Sequence, residues 1–205
     1  MTKRKGPITA AELTAELMAD PEWVAMQQEK QRLRVERQAR IRIEQAPLLA
    51  ELKAIGIDIE SVDYLANTSD RYDEAIPVLL RHLLLFNSGY SDKTREFIAR
   101  ALAVREARYL WPVFVKEYLN EPIGSNAKEG LAVALMVTVT DATMEEFVAL
   151  AKDRRNGPSR LYFLQPLKRS KNPIAKEALA VLASDPDLEK EIASWRPRKP
   201  RRKVD

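Results

Sequence analysis

The chain has no cysteine and a single histidine, His82, among its 205 residues. The first absence excludes disulfides, thiolate metal sites and a cysteine nucleophile, and it fits a reducing cytoplasm. The second excludes a histidine-rich metal site and a paired histidine acid–base system. Glycine is scarce, with six residues, and none of them builds GxGxxG or a GxxxxGK loop, so no phosphate cradle is read. Long apolar runs are lacking too. Stretches such as Leu131–Val137 fall far short of the roughly 20 residues that a membrane-spanning helix needs. The basic start Met1–Pro7 is followed by Glu12 and Glu16, where a secretory signal requires unbroken apolar chain. No export and a cytoplasmic location are expected.

What is present is 45% hydrophobic and 31% charged residues, enough for one domain with a core, or one domain with an appended element. The net charge of +4 gains meaning from its location. Arg196, Arg198, Lys199, Arg201, Arg202 and Lys203 stand against Asp205, six cations to one acid, which leaves −1 for residues 1–195. Residues 196–205 form a proline-interrupted basic tail that is expected to be disordered.

Three zones precede the tail. Residues 1–69 read as an N-terminal helical extension. Thr9 can cap a helix over 10–19, and Asp20-Pro21 supplies an N-cap and a first-position proline for a long polar helix over about 21–46. Its apolar residues, among them Trp23, Val24, Leu33 and Ile43, are thinly spread, so it buries only a narrow seam, folded back or paired in a short coiled coil. Pro47 then starts a short helix that ends before Gly56, and Ser61 caps another. Ile57–Glu60 alternates like a strand but is too brief for a sheet, and it reads as a connector.

Residues 70–195 divide into helical segments at about 73–86, 91–104, 106–120, 126–139, 142–153, 158–170, 173–184 and 186–195, four hairpin pairs. Gly89, Gly124 and Gly157 lie between segments, and Ser91, Ser125, Asn172-Pro173 and Asp185-Pro186 supply caps and first-turn prolines. The segments repeat. Arg95–Val104 aligns with Lys128–Val137 at an offset of 33, Ile76-Pro77-Val78 with Trp111-Pro112-Val113 at 35, and Arg160 follows Lys128 at 32. A period in the low thirties indicates a helical solenoid, and by the same alignment Val137–Thr140 continues a helix. Gly130 sits inside a helix at a cost of about 1 kcal/mol relative to alanine, which close approach of a neighbouring helix would offset.

Pro77 and Pro112 in first helices, Asp92 in a turn, and Arg95 and Lys128 early in second helices resemble the HEAT-repeat family over about residues 70–195. Pro166, inside a second helix, departs from that pattern. The whole chain is similar to bacterial HEAT-repeat proteins. This resemblance implies an all-α fold, a right-handed α-α superhelical solenoid of HEAT-like hairpins with an N-terminal helical extension, and no particular activity.

Chemistry is sparse. His82 reads as a partly buried structural residue, Glu145-Glu146 and Asp185/Asp187 as helix-start carboxylates, and Asp92 with Arg95 as a turn interaction. No catalytic residue, metal ligand or cofactor is assigned. In HEAT-like stacks the second helices line the concave side, which would gather Arg95, Arg100, Lys128, Arg160 and Lys168 into a basic partner-binding groove; the competing reading pairs them with local acids such as Glu96 and Glu129. The leading expectation is a non-enzymatic scaffold that grips a protein or peptide. The alternatives are a nucleic-acid binder acting through groove or tail, at its extreme a DNA-glycosylase-like protein with Trp111 or Trp195 near a carboxylate, and an immunity or antitoxin-like protein that occludes another protein.

Overall fold

In the computed structural model, which describes residues 8–85 and 89–195, every regular element is helical and no strand forms among the described residues. The chain divides into two compact units, residues 1–43 and 44–205.

The first unit holds α1 (Ala10–Met18) and the leading part of α2 (Pro21–Ala54). Thr9 caps α1 as expected: its hydroxyl accepts from the Glu12 amide, and the Glu12 carboxylate accepts from the Thr9 amide. Asp20 caps α2 by accepting from the Glu22 amide at 2.9 Å. No α1 residue is buried, and burial in α2 begins only at Gln45. The expected break at Pro47 does not occur, since α2 runs through it to Ala54. Proline removes one helical donor, the one that would serve the carbonyl of residue 43. Ile43 and Pro47 are both exposed, so water can satisfy that carbonyl.

The second unit starts within α2, whose Leu48 and Leu52 are fully buried, so residues 44–69 belong with the later helices rather than with the extension. It continues through α3 (Asp63–Asn67), α4 (Ile76–Leu84), α5 (Asp92–Ala101), α6 (Trp111–Asn120), α7 (Asn126–Thr138), α8 (Met144–Lys152), α9 (Leu164–Arg169), α10 (Pro173–Leu182) and α11 (Glu189–Ser194). The helix expected at Ser61 is α3, but Ser61 does not cap it; its hydroxyl bonds the side chains of Asp63 and Gln45 instead.

α4, α6 and α8 each follow a 3-10 turn, at Asp73–Ala75, Arg105–Leu110 and Asp141–Thr143. The segment expected as one helix over 158–170 is a 3-10 stretch, Arg154–Phe163, followed by α9. Gly157 kinks that stretch at φ 66°, and a Cβ there would lie 2.5 Å from Ile123 Cγ2. This division removes the oddity of Pro166, which falls in the first turn of α9, where a missing N–H costs nothing. The helix expected through Thr140 stops at Thr138, whose hydroxyl turns back to the Ala134 carbonyl. Val139 and Thr140 are extended, as their β-branched side chains favour.

Among the α-helices of the second unit, the main contacts join a helix to the next or to the next but one. α5 lies against α3, α4 and α7; α7 against α6, the 154–163 stretch and α9; α8 against that stretch; and α10 against α8 and α9. Aromatic rings tie these layers together: Tyr118 on α6 meets Phe163 edge-on at 5.5 Å, and Phe147 on α8 lies 4.8 Å from Phe163. All three are fully buried, and each contributes about 1.5–3 kcal/mol by leaving water. No helix among the described residues is long and apolar enough to cross a membrane.

Candidate functional site

The cations expected on a basic groove separate: Lys128 and Arg160 are buried, Arg95 and Arg100 are half-buried, and Lys168 is exposed. Lys128, 2% exposed, donates to the Tyr118 carbonyl at 2.7 Å and the Glu121 carbonyl at 3.2 Å, with its ammonium 4.2 Å from the Tyr118 ring centre. Arg160, fully buried, forks onto Asp185 and Asp187, each at 2.8 Å. Arg95 pairs with the buried Glu121, and Arg100 pairs with Glu96 at 2.7 Å. Lys168 is exposed and stacks over the Trp195 ring at 4.3 Å. The structure therefore corrects the groove: Lys128 and Arg160 are interior fasteners. They satisfy carbonyls and carboxylates at turns between helices, groups that are costly to bury unpaired. The tail residues Arg196, Arg198, Lys199, Arg201, Arg202 and Lys203 lie outside the described residues.

Asp92 and Arg95 lie close enough to interact, and each also has partners of its own. Asp92 accepts from the backbone amides of Asn126 and Ala127 and from the Asn126 side chain, capping α7 from the preceding hairpin. Burial pushes the Asp92 carboxyl up, but those three donors and Arg95 together outweigh it and hold it below its ordinary value. Glu44 does the same work one step earlier, accepting from the Ser91 amide, the Ser91 hydroxyl and the Thr94 hydroxyl at the start of α5. Asp185 sits low because Arg160 bonds it.

His82 is 4% exposed; Nδ1 meets the Tyr90 hydroxyl at 2.6 Å, and Nε2 lies 3.2 Å from Glu51 without making a hydrogen bond. Arg81 pairs with the same Glu51 carboxylate, so the imidazole belongs to a junction of α2 and α4. Both tryptophans do find carboxylates, Trp111 at Glu146 (2.5 Å) and Trp195 at Glu191 (3.0 Å). Trp111 is buried, so its ring cannot wall an open base pocket.

A concavity lies in the second unit, a cleft of about 620 Å³. Its walls are α3 with the segment 66–73, the end of α5, the turn 103–106 and α7. Phe97, Val133 and Val137 supply half-buried apolar surface. The rim is charged and nearly balanced, with Asp63, Asp70, Asp73 and Glu106 facing Arg71, Arg100 and Arg105. Arg71 bridges Asp73 at 3.1 Å and Glu106 at 3.5 Å. Behind them the buried Tyr72 hydroxyl donates to the Ala101 carbonyl at 3.0 Å, and burial, then Glu106, pushes its pKa up to about 12. Arg100 reaches across to the Tyr162 hydroxyl at 3.4 Å, and that hydroxyl donates to Glu129 at 3.2 Å.

Sequence reading missed this cleft. The available signal was the i, i+4 pair Val133/Val137 on the same helical face, together with the polar stretch Asn67–Asp73. Serine and threonine line the cleft at Thr68 and Ser69, but His82 does not, so no hydroxyl there has an imidazole base beside it. No group of three acidic or histidine side chains that could hold a metal forms among the described residues. Such walls can bind an extended segment by apolar contact and orient it with charges at the rim.

No protein-family model, no curated protein and no solved structure matches this chain.

Proposed function

We propose that the second unit is a short HEAT-like solenoid whose second helices form a concave face that grips a segment of a partner protein. Support for the solenoid comes from the neighbour-to-neighbour packing of α5, α7 and the 154–163 stretch, and from the cross-hairpin capping by Asp92 at an interval of 34–35 residues. Elements of this kind stack because none can bury its apolar stripe alone. The observation that carries the binding role is the cleft itself: an apolar floor of Phe97, Val133 and Val137 within a rim of both charge signs. Balanced rim charge suits a polypeptide better than a polyanion, whose phosphates call for a uniformly basic surface.

Affinity capture from native lysate with the wild type and with Val133→Asp, which puts a charge on the floor, tests this reading. A discrete set of proteins retained by the wild type and lost by the variant is the expected result. Recovery of nucleic acid or a small ligand alone, or an unchanged protein set on the variant, contradicts it.

A further inference from the structure

The charge of this chain is divided by unit. Residues 1–43 sum to +3 and residues 44–195 to −4. Within the first unit the excess lies on α2, where residues 29–42 carry six cations and two acids. Every residue from 28 to 40 is exposed. At 3.6 residues per turn, Lys30, Arg34, Arg37 and Arg40 fall within an arc of about 120° and span ~15 Å of helix. The two acids border the stripe beside Arg40, and Arg32, on the far side, draws on both, pairing with Glu29 at 2.6 Å and with Glu36 at 2.5 Å. The helix therefore carries a basic stripe whose flanking acids are engaged by Arg32.

We propose that this stripe is a docking element for duplex DNA, with Lys30, Arg34, Arg37 and Arg40 meeting backbone phosphates. Charge complementarity selects a polyanion, and what the helix lacks narrows the choice. Trp23, Met26, Leu33 and Ile41 share the arc of the stripe with its cations, so apolar and charged faces are not segregated as a lipid surface requires, and a heptad seam through them would be broken by Lys30 and Arg37. Residues 28–40 contain no aromatic side chain, which removes the stacking platforms that single-stranded nucleic acid uses. They likewise contain no methionine or aromatic ring to fill the desolvated centre of a protein interface. The major groove of B-form DNA admits an α-helix, whereas that of A-form RNA is too narrow. The inference concerns the first unit and is independent of the cleft.

Fluorescence anisotropy with the full chain and a labelled DNA duplex of mixed sequence tests it. Four phosphate contacts give a slope of roughly −3.6 in log affinity against log salt, so binding should weaken about a hundred-fold between 50 and 200 mM. A variant with Lys30→Gln, Arg34→Gln, Arg37→Gln and Arg40→Gln should lose most of that slope. Glutamine has nearly the helix propensity of arginine, and circular dichroism checks that α2 persists. The charge-preserving set Arg34→Lys, Arg37→Lys and Arg40→Lys should bind within a few-fold of wild type.

Absence of binding by the wild type overturns the proposal. So does loss of binding in both variant sets, which would mean that charge is not what matters. Binding that survives the glutamine set but disappears when residues 196–205 are removed would assign the affinity to the tail instead. An RNA duplex, an anionic phosphatidylserine vesicle or polyglutamate captured as tightly as the DNA would also refute it.

Discussion

A Cβ placed on Gly130 would stand 2.7 Å from the carbonyl oxygen of Glu96 and 3.0 Å from the Ala99 Cβ. Glycine at this position lets α7 approach the backbone of α5 more closely than any other residue would allow. Gly130→Ala would gain about 1 kcal/mol of intrinsic helix preference, but it must push two helices apart at a backbone atom that cannot swing away. Overpacking of this kind costs about 1–3 kcal/mol, so a net loss of stability is expected in urea unfolding. A stabilised variant would show that the two helices are free to separate.

Arg160 and Asp185 test the interior fasteners. Arg160→Ala takes from Asp185 its nearest cation, leaving Arg154 at 3.9 Å and the Asp187 amide, and should cost about 3 kcal/mol. Arg160→Lys keeps the charge but loses the fork that reaches Asp185 and Asp187 together, so it should also destabilise, by a smaller amount. Thermal unfolding of the two variants checks the order. A lysine variant as stable as wild type would contradict the bidentate role.

Asp92 predicts a pH dependence. Its carboxyl titrates below the ordinary aspartate range in the folded chain, so folding favours the ionised form. That contribution is fully present above the unfolded value, about pH 4, and is lost as pH falls through the lowered folded value. Denaturant unfolding measured from pH 5 down to pH 2 should therefore show a shallower acid-side loss for Asp92→Asn than for wild type. Identical slopes would mean that the cap on α7 is energetically idle.

Junction chemistry gives a further expectation. The Glu44 carboxylate collects the Ser91 amide and the Ser91 and Thr94 hydroxyls. Glu44→Ala should cost about 1–2 kcal/mol, the scale of a lost N-terminal cap. Amide exchange would show the first turn of α5 losing protection before the rest of the helix. Uniform loss across α5 would argue against a local capping role.

These positions also show how far sequence can be read. The helical class, the caps at Thr9, Asp20 and Ser125, and the compensation at Gly130 follow from local chemistry, because capping side chains and a mid-helix glycine act within a turn of where they sit. The recurrence of Arg95, Lys128 and Arg160 was equally plain. Periodicity identifies a repeated position but not which side of the helix its neighbours cover, and Lys128 and Arg160 prove to face buried carbonyls and carboxylates. The long stem of a lysine or arginine lets one residue type serve a surface or a buried turn. The cleft escaped notice for a related reason. Its walls come from segments as far apart as Asp63 and Val137, and nothing local links them.

The scaffold account turns on where a partner touches the chain. A photoreactive amino acid placed at Val133, on the cleft floor, and in a separate variant at Val181, an exposed position on α10, reports this directly after irradiation in native lysate. The account predicts protein adducts from position 133 and few or none from 181. Adducts from 181 with none from 133, or adducts to nucleic acid at 133, would contradict it.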